Sequence, residues 1–119
     1  MQITLMKYFL LILAIPAVMN SRCRKKSQDG IPECIQQQIE AIKAEPKWNP
    51  PAEVNEYLYN GKRVFLFTSN CCDQYNMLYD EKCEPVCAPS GGFTGKGDNK
   101  CEDFNESAKH IKLIWKDER

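Results

Sequence analysis

Ala52-Glu53-Val54-Asn55-Glu56-Tyr57-Leu58-Tyr59-Asn60-Gly61-Lys62-Arg63-Val64-Phe65-Leu66-Phe67-Thr68 is the run on which the fold turns. Two stretches rich in aromatic and β-branched residues, 52–59 and 62–68, flank Asn60-Gly61. That dipeptide accepts the positive φ angles of a type I′ turn, so the run predicts a tight β-hairpin. A two-residue loop sets Tyr57 opposite Val64 and Val54 opposite Phe67. One face then carries Tyr57, Tyr59, Val64 and Leu66, and the other Val54, Leu58, Phe65 and Phe67. Both faces are largely apolar, so each needs a cover: a helix on one, irregular chain over part of the other.

Upstream, Asn49-Pro50-Pro51 is a stiff extended connector, since proline fixes φ and restricts the residue before it. Before it, Ile31, Ile35, Ile39 and Ile42 recur at helical spacing, with Gln36, Gln37, Glu40 and Lys43 on the other face. Pro32 suits the first helical position and Pro46 stops the helix. Cys34 lies beside the apolar stripe, where a bridge would pin the helix.

Downstream, 76–79 and 84–87 predict two short strands turning over Asp80-Glu81-Lys82. Residues 89–98 hold four glycines, which excludes a helix or a central strand. Residues 103–109 suit a short helix. In 110–116, Ile111, Leu113 and Trp115 alternate with His110, Lys112 and Lys116, which predicts a final strand with one wet face. The sum is an α+β domain: an N-terminal helix and a short C-terminal helix packed on an antiparallel sheet of four or five strands, stapled by disulfides. There is no internal repeat.

The first 23 residues bear on the compartment. Lys7 precedes the apolar run 8–15, and Pro16-Ala17-Val18-Met19 and polar residues follow, the layout of a secretory signal. Residues 8–19 are well short of the ~20 needed to span a bilayer. Met6-Lys7 makes a more usual start than Met1. Cys23 is the candidate lipid-bearing first residue of a lipoprotein. Asn20-Ser21-Arg22 fits that processing poorly, and Arg22, Arg24, Lys25 and Lys26 bias charge against easy translocation, so plain secretion stands as the alternative. Residues 24–30 read as a flexible tether and 31–119 as one domain.

Seven cysteines in 119 residues is several times ordinary usage and suits an oxidising compartment. From Ser27 onward, 11 Lys or Arg stand against 16 Asp or Glu, a net of −5. That balance excludes a nucleic-acid partner, which needs clustered Lys and Arg.

Setting Cys23 aside leaves Cys34, Cys71, Cys72, Cys83, Cys87 and Cys101, an even number suited to three bridges, with 15 connectivities open. Adjacent cysteines rarely bond each other, so Cys71 and Cys72 are expected to reach different partners. Cys87–Cys101 would close the glycine-rich loop, and Cys34 would reach Cys71 or Cys72 to tie the helix to the hairpin. A zinc site wants thiolates in pairs such as Cys-x-x-Cys, and Cys83 and Cys87 are spaced wider. A redox role for Cys71-Cys72 lacks the Cys-x-x-Cys and βαβ setting.

The glycine loop fails as a P-loop, since Gly95-Lys96 is followed by Gly97. Asp98, Asn99 and Asp103 supply oxygens that calcium accepts but do not match the EF-hand spacing; neither a metal nor another cofactor is expected. His110 is the only histidine, and no pair of carboxylates is singled out, so no catalytic residue is assigned. Gly91, Gly92, Phe93, Gly95, Gly97 and Asp98 are the candidate binding loop. Trp48, Tyr57, Tyr59, Tyr75, Phe93 and Trp115 are numerous enough to line a binding surface, although such residues are more often core. Asn105-Glu106-Ser107 is a glycosylation sequon, relevant only in a host that glycosylates.

Ser69-Asn70-Cys71-Cys72-Asp73, Leu78-Tyr79-Asp80, Cys87-Ala88-Pro89-Ser90-Gly91-Gly92, Thr94-Gly95-Lys96-Gly97-Asp98 and Lys100-Cys101-Glu102-Asp103-Phe104 together resemble a family of small exported, mostly bacterial proteins known as a domain of unknown function. The resemblance covers residues 31–116. It implies no activity, ligand or catalytic residue. Cys83 departs from it, since a glycine or polar residue is expected there. The expected function is a non-enzymatic exported or lipid-anchored domain that binds a protein or envelope component. The alternative is an inhibitor of an extracellular hydrolase, or a small enzyme, using the glycine-rich loop.

Overall fold

The Asn60-Gly61 hairpin forms with the register its sequence dictates. The computed structural model describes residues 30–119; the signal-like segment, Cys23 and the tether up to residue 29 lie outside them. In chain order the elements are α1 (Glu33–Lys43), β1 (Glu53–Tyr59), β2 (Lys62–Phe67), β3 (Tyr75–Asp80), β4 (Pro85–Gly91), α2 (Phe104–Ser107) and β5 (Lys109–Lys116). The five strands make one antiparallel sheet in the order β4-β3-β2-β1-β5. Tyr57 faces Val64 and Val54 faces Phe67 across the hairpin, while Asn60 and Gly61 take φ of 50° and 73°. Pro32 is the residue just before α1 rather than its first turn.

Each face of the sheet has its own core. On one, Ile35 and Ile39 of α1 pack on Val54, Phe65 and Phe67, with Trp115 at the margin. On the other, Val64, Leu78 and Tyr59 pack with Cys87, Cys101 and Phe104. Phe104, from the four-residue α2, meets the rings of Tyr57 and Tyr59 edge-on at 4.9 and 5.4 Å. A short helix therefore covers this face through one aromatic plug, and Tyr59 donates a 2.5 Å hydrogen bond to Asp103 beside it.

Three pairings close the cysteine set: Cys34–Cys83, Cys71–Cys72 and Cys87–Cys101. Two expectations are corrected. Cys34 does not reach Cys71 or Cys72, because α1 begins at the β3–β4 turn, where the Cys34 sulfur also lies 3.5 Å from the Glu81 carbonyl. The β2–β3 loop holding Cys71 and Cys72 is at the opposite end of these strands. With no other cysteine near that end among the described residues, the two adjacent cysteines bond each other.

The last strand also departs from simple alternation. Trp115 faces Val54 but Leu113 faces Asn55, and Lys112 faces Glu56 but His110 faces Tyr57. The two register shifts leave Ile114 and Ile111 without direct partners, so Ile114 and Trp115 both pack on the α1 side. Ile111 and Leu113 stay 46% and 48% exposed. At the other edge, β4 extends further into the glycine-rich region than expected, ending at Gly91. It does so as an outer strand, where Pro85 and Pro89 leave no needed donor missing.

Two buried carboxylates are paired. Glu56, 4% exposed on the α1 side, accepts from Arg63, whose guanidinium also bonds Glu81 and the Gly30 carbonyl. Asp117 accepts from Arg119 at 2.6 and 2.8 Å, and Arg119 donates onward to the carbonyls of Lys43 and Glu45 at the end of α1. Those carbonyls have no partner within a helix, so this clasp satisfies them.

The hydrogen bonds from Arg119 hold the Asp117 carboxyl at about 2, and the Tyr59 hydroxyl lowers that of Asp103. A depressed folded-state pKa contributes stability above the ordinary carboxylate value, and this is lost as pH falls through the folded one. Acid titration of the urea midpoint should therefore show a loss between about pH 4 and pH 2. Asp117→Asn should flatten part of that loss, and an unchanged acid limb would show that the clasp carries no linkage.

Candidate functional site

Two features meet at the end of the sheet where β2 passes into β3 and β4 ends. The first is the loop 91–98. Asp98 N donates to the Ala88 carbonyl at 2.9 Å and Gly97 N to that of Gly91 at 3.0 Å, with Gly95 N to Gly92 O inside the turn. Cys87–Cys101 clips its base. Glycine is required where the chain doubles back: at Gly97, φ 76°, a Cβ would run into the Ala88 carbonyl, and at Gly92, φ 76°, into the Tyr75 ring. The loop is thus fixed before any ligand arrives, and at its tip Phe93 stands 92% exposed.

Asp98 accepts from Lys100 N at 3.0 Å in a local turn, and Asp103 is engaged by Tyr59. The carboxylates of Asp98 and Asp103 thus have structural partners. No group of three metal-ligating side chains occurs among the described residues.

The second feature is a cleft of about 490 Å³ between α1 and the β2–β3 loop. Its origin is geometric. Five strands ~4.8 Å apart span ~19 Å, whereas one helix covers ~10 Å. Helix α1 sits over β1 and β2, so the same face of β3 is left open. Tyr75, Met77 and Tyr79 line it from the sheet, Trp48 and Gln38 from the helix side, and Asn70 and Gln74 from the rim. The Trp48 indole N–H donates to Glu45 at 2.9 Å, which fixes the ring. Tyr79 is held edge-on by Phe67 at 5.4 Å.

The rim is tied down as well. Gln74 N donates to Cys71 O, Gly92 N to Gln74 O, and Ser69 N to Asn76 Oδ1. Cys71–Cys72 locks the middle of this loop. Gly92 lies against the Tyr75 ring, so the glycine loop adjoins the cleft.

Of the six aromatics considered from sequence, Tyr57, Tyr59 and Trp115 pack into or against the cores. Trp48 and Tyr75 line the cleft and Phe93 is in solvent. Sequence reasoning missed the amides Gln38, Asn70 and Gln74, which carry no periodicity; Gln38 alone had a positional cue, lying one turn from Ile35 and Ile42.

These features define a small disulfide-linked α+β domain whose shifted titratable groups sit in structural pairs. Residues 40–117, more than half of the chain, match the family model described as a domain of unknown function (DUF6970), and the chain belongs to that family. No curated protein and no solved structure matches it.

Proposed function

We propose that this chain is an exported, non-enzymatic binding domain that uses the loop 91–98 and the adjoining cleft to hold a protein or envelope component. The observation that carries the reading is Phe93: a fully presented aromatic ring on a loop fixed by a disulfide and its own backbone hydrogen bonds. A large apolar side chain held in water has no structural use here, whereas a preorganised anchor lowers the ordering cost of binding. Export is supported by the three bridges, which persist in oxidising compartments, and by the signal-like N-terminal pattern. Among the described residues no helix is long and apolar enough to cross a membrane.

Two experiments test this. Purified domain should retain an envelope component that Phe93→Ala loses by at least about tenfold, with melting unchanged because the ring touches no core. Equal retention by both forms would remove the loop from the site. For export, a clickable fatty acid should label the chain and spare Cys23→Ser. An unlabelled chain found outside the cell would support plain secretion, and an uncut precursor in the cytoplasm would overturn export.

A further inference from the structure

We infer that the cleft is a saccharide site, taking one or two rings of a neutral oligosaccharide. The inference rests on the binding reading above and names the ligand class. Its volume, about 490 Å³, lies in the range of small-molecule sites. The lining selects the chemistry. Trp48, Tyr75 and Tyr79 line the cleft with aromatic rings, a surface that suits the apolar C–H faces of a pyranose. Gln38, Asn70 and Gln74 make no side-chain hydrogen bond among the described residues. Each carboxamide presents a donor and an acceptor together, the pattern that a vicinal diol matches.

Other ligand classes fit less well. Among the described residues no Lys or Arg lines the cleft, and the one carboxylate, Glu45, already accepts from Trp48, so neither an anion nor a cation is favoured. A purely apolar ligand would bury three amides unpaired, at about 1–3 kcal/mol each. An extended peptide binds by adding a strand to a sheet edge, but the cleft opens over β2 and β3. Both are interior strands with backbone groups paired on each side. Cys71–Cys72 and the Gly92–Gln74 hydrogen bond hold the rim backbone in place, so little backbone order is lost on binding.

Calorimetric or NMR titration of the oxidised domain residues 24–119 with cellohexaose and with chitohexaose, both neutral β-linked hexasaccharides, tests the assignment. Binding of at least one is expected, with affinity lowered about tenfold or more in Trp48→Ala and Tyr75→Ala. Gln74→Leu, an exposed position that leaves folding untouched, should weaken it about fivefold or more. Lys112→Ala, on the far edge, should leave it unchanged. Binding that survives Trp48→Ala, Tyr75→Ala and Gln74→Leu would overturn the inference, as would no binding of either sugar at millimolar concentration. If Phe93-dependent capture of an envelope component persists without saccharide binding, only the saccharide assignment falls. If both are absent, the binding reading falls with it.

Discussion

Replacing Cys34 and Cys83 together by serine should lower the unfolding free energy by about 4 kcal/mol. The bridge joins residues separated by 49 positions, the longest loop closed by a disulfide among the described residues, and in the chain-entropy model the constraint on the unfolded state grows with loop length. For a domain of this size the melting temperature should fall by the order of 20 °C. The comparison that isolates the cause is Cys71→Ser with Cys72→Ser. That bridge has a separation of 1 and closes no loop, so its loss should cost less than about 1 kcal/mol of global stability. Replacing both members of a pair avoids a free thiol in each case. Equal losses for the two pairs would sink the entropic account. A small loss for the first would show that α1 is held to the β3–β4 turn by packing alone.

Phe65→Ala is the second large effect, expected at about 3–5 kcal/mol by chemical denaturation. Phe65 is 0% exposed and lies on the central strand in the cluster with Ile35 and Ile39, with the Arg63 guanidinium 5.4 Å from its ring centre. Strands on both sides of β2 fix the backbone, so the site cannot collapse to fill the space left. Against a typical total of ~5–15 kcal/mol this approaches unfolding. Phe93→Ala removes the same side chain from water and should change stability by less than about 0.5 kcal/mol. A loss under about 1 kcal/mol for Phe65→Ala would mean that α1 does not rest on the sheet.

The hairpin and α1 were legible because their signals are local. Asn60-Gly61 names the turn and with it the register, and four isoleucines mark one helical face. What needed the structure was non-local. Nothing in residues 109–116 says that this strand returns to pair with β1, nor that two register shifts would turn Ile111 outward. Glu56 falls by alternation on the apolar face of Val54 and Leu58, where the sequence names no partner for its charge. That partner is Arg63, itself held by Glu81 and the Gly30 carbonyl. Phe104 lies in a stretch too short to show a period, yet it plugs one of the two cores. The cleft is not encoded by a motif at all; it follows from the mismatch between the width of five strands and that of one helix. Phe93 could be placed in the candidate loop from its glycine neighbours, but its projection into solvent depends on how that loop folds back on Ala88.

The outer strands carry a consequence for the behaviour of the molecule at high concentration. A flat exposed edge would template fibril growth, since a second copy can add its backbone to the unpaired N–H and C=O groups. Here β4 interrupts its edge with Pro85 and Pro89, and β5 breaks its own with two shifts in register and with Lys109, Lys112 and Lys116. Two copies meeting edge to edge would find missing donors on one side and, on the other, a bent strand carrying like-charged lysines. These edges give a sixth strand little to pair with, and concentrated solutions of the oxidised protein are expected to stay free of cross-β assembly.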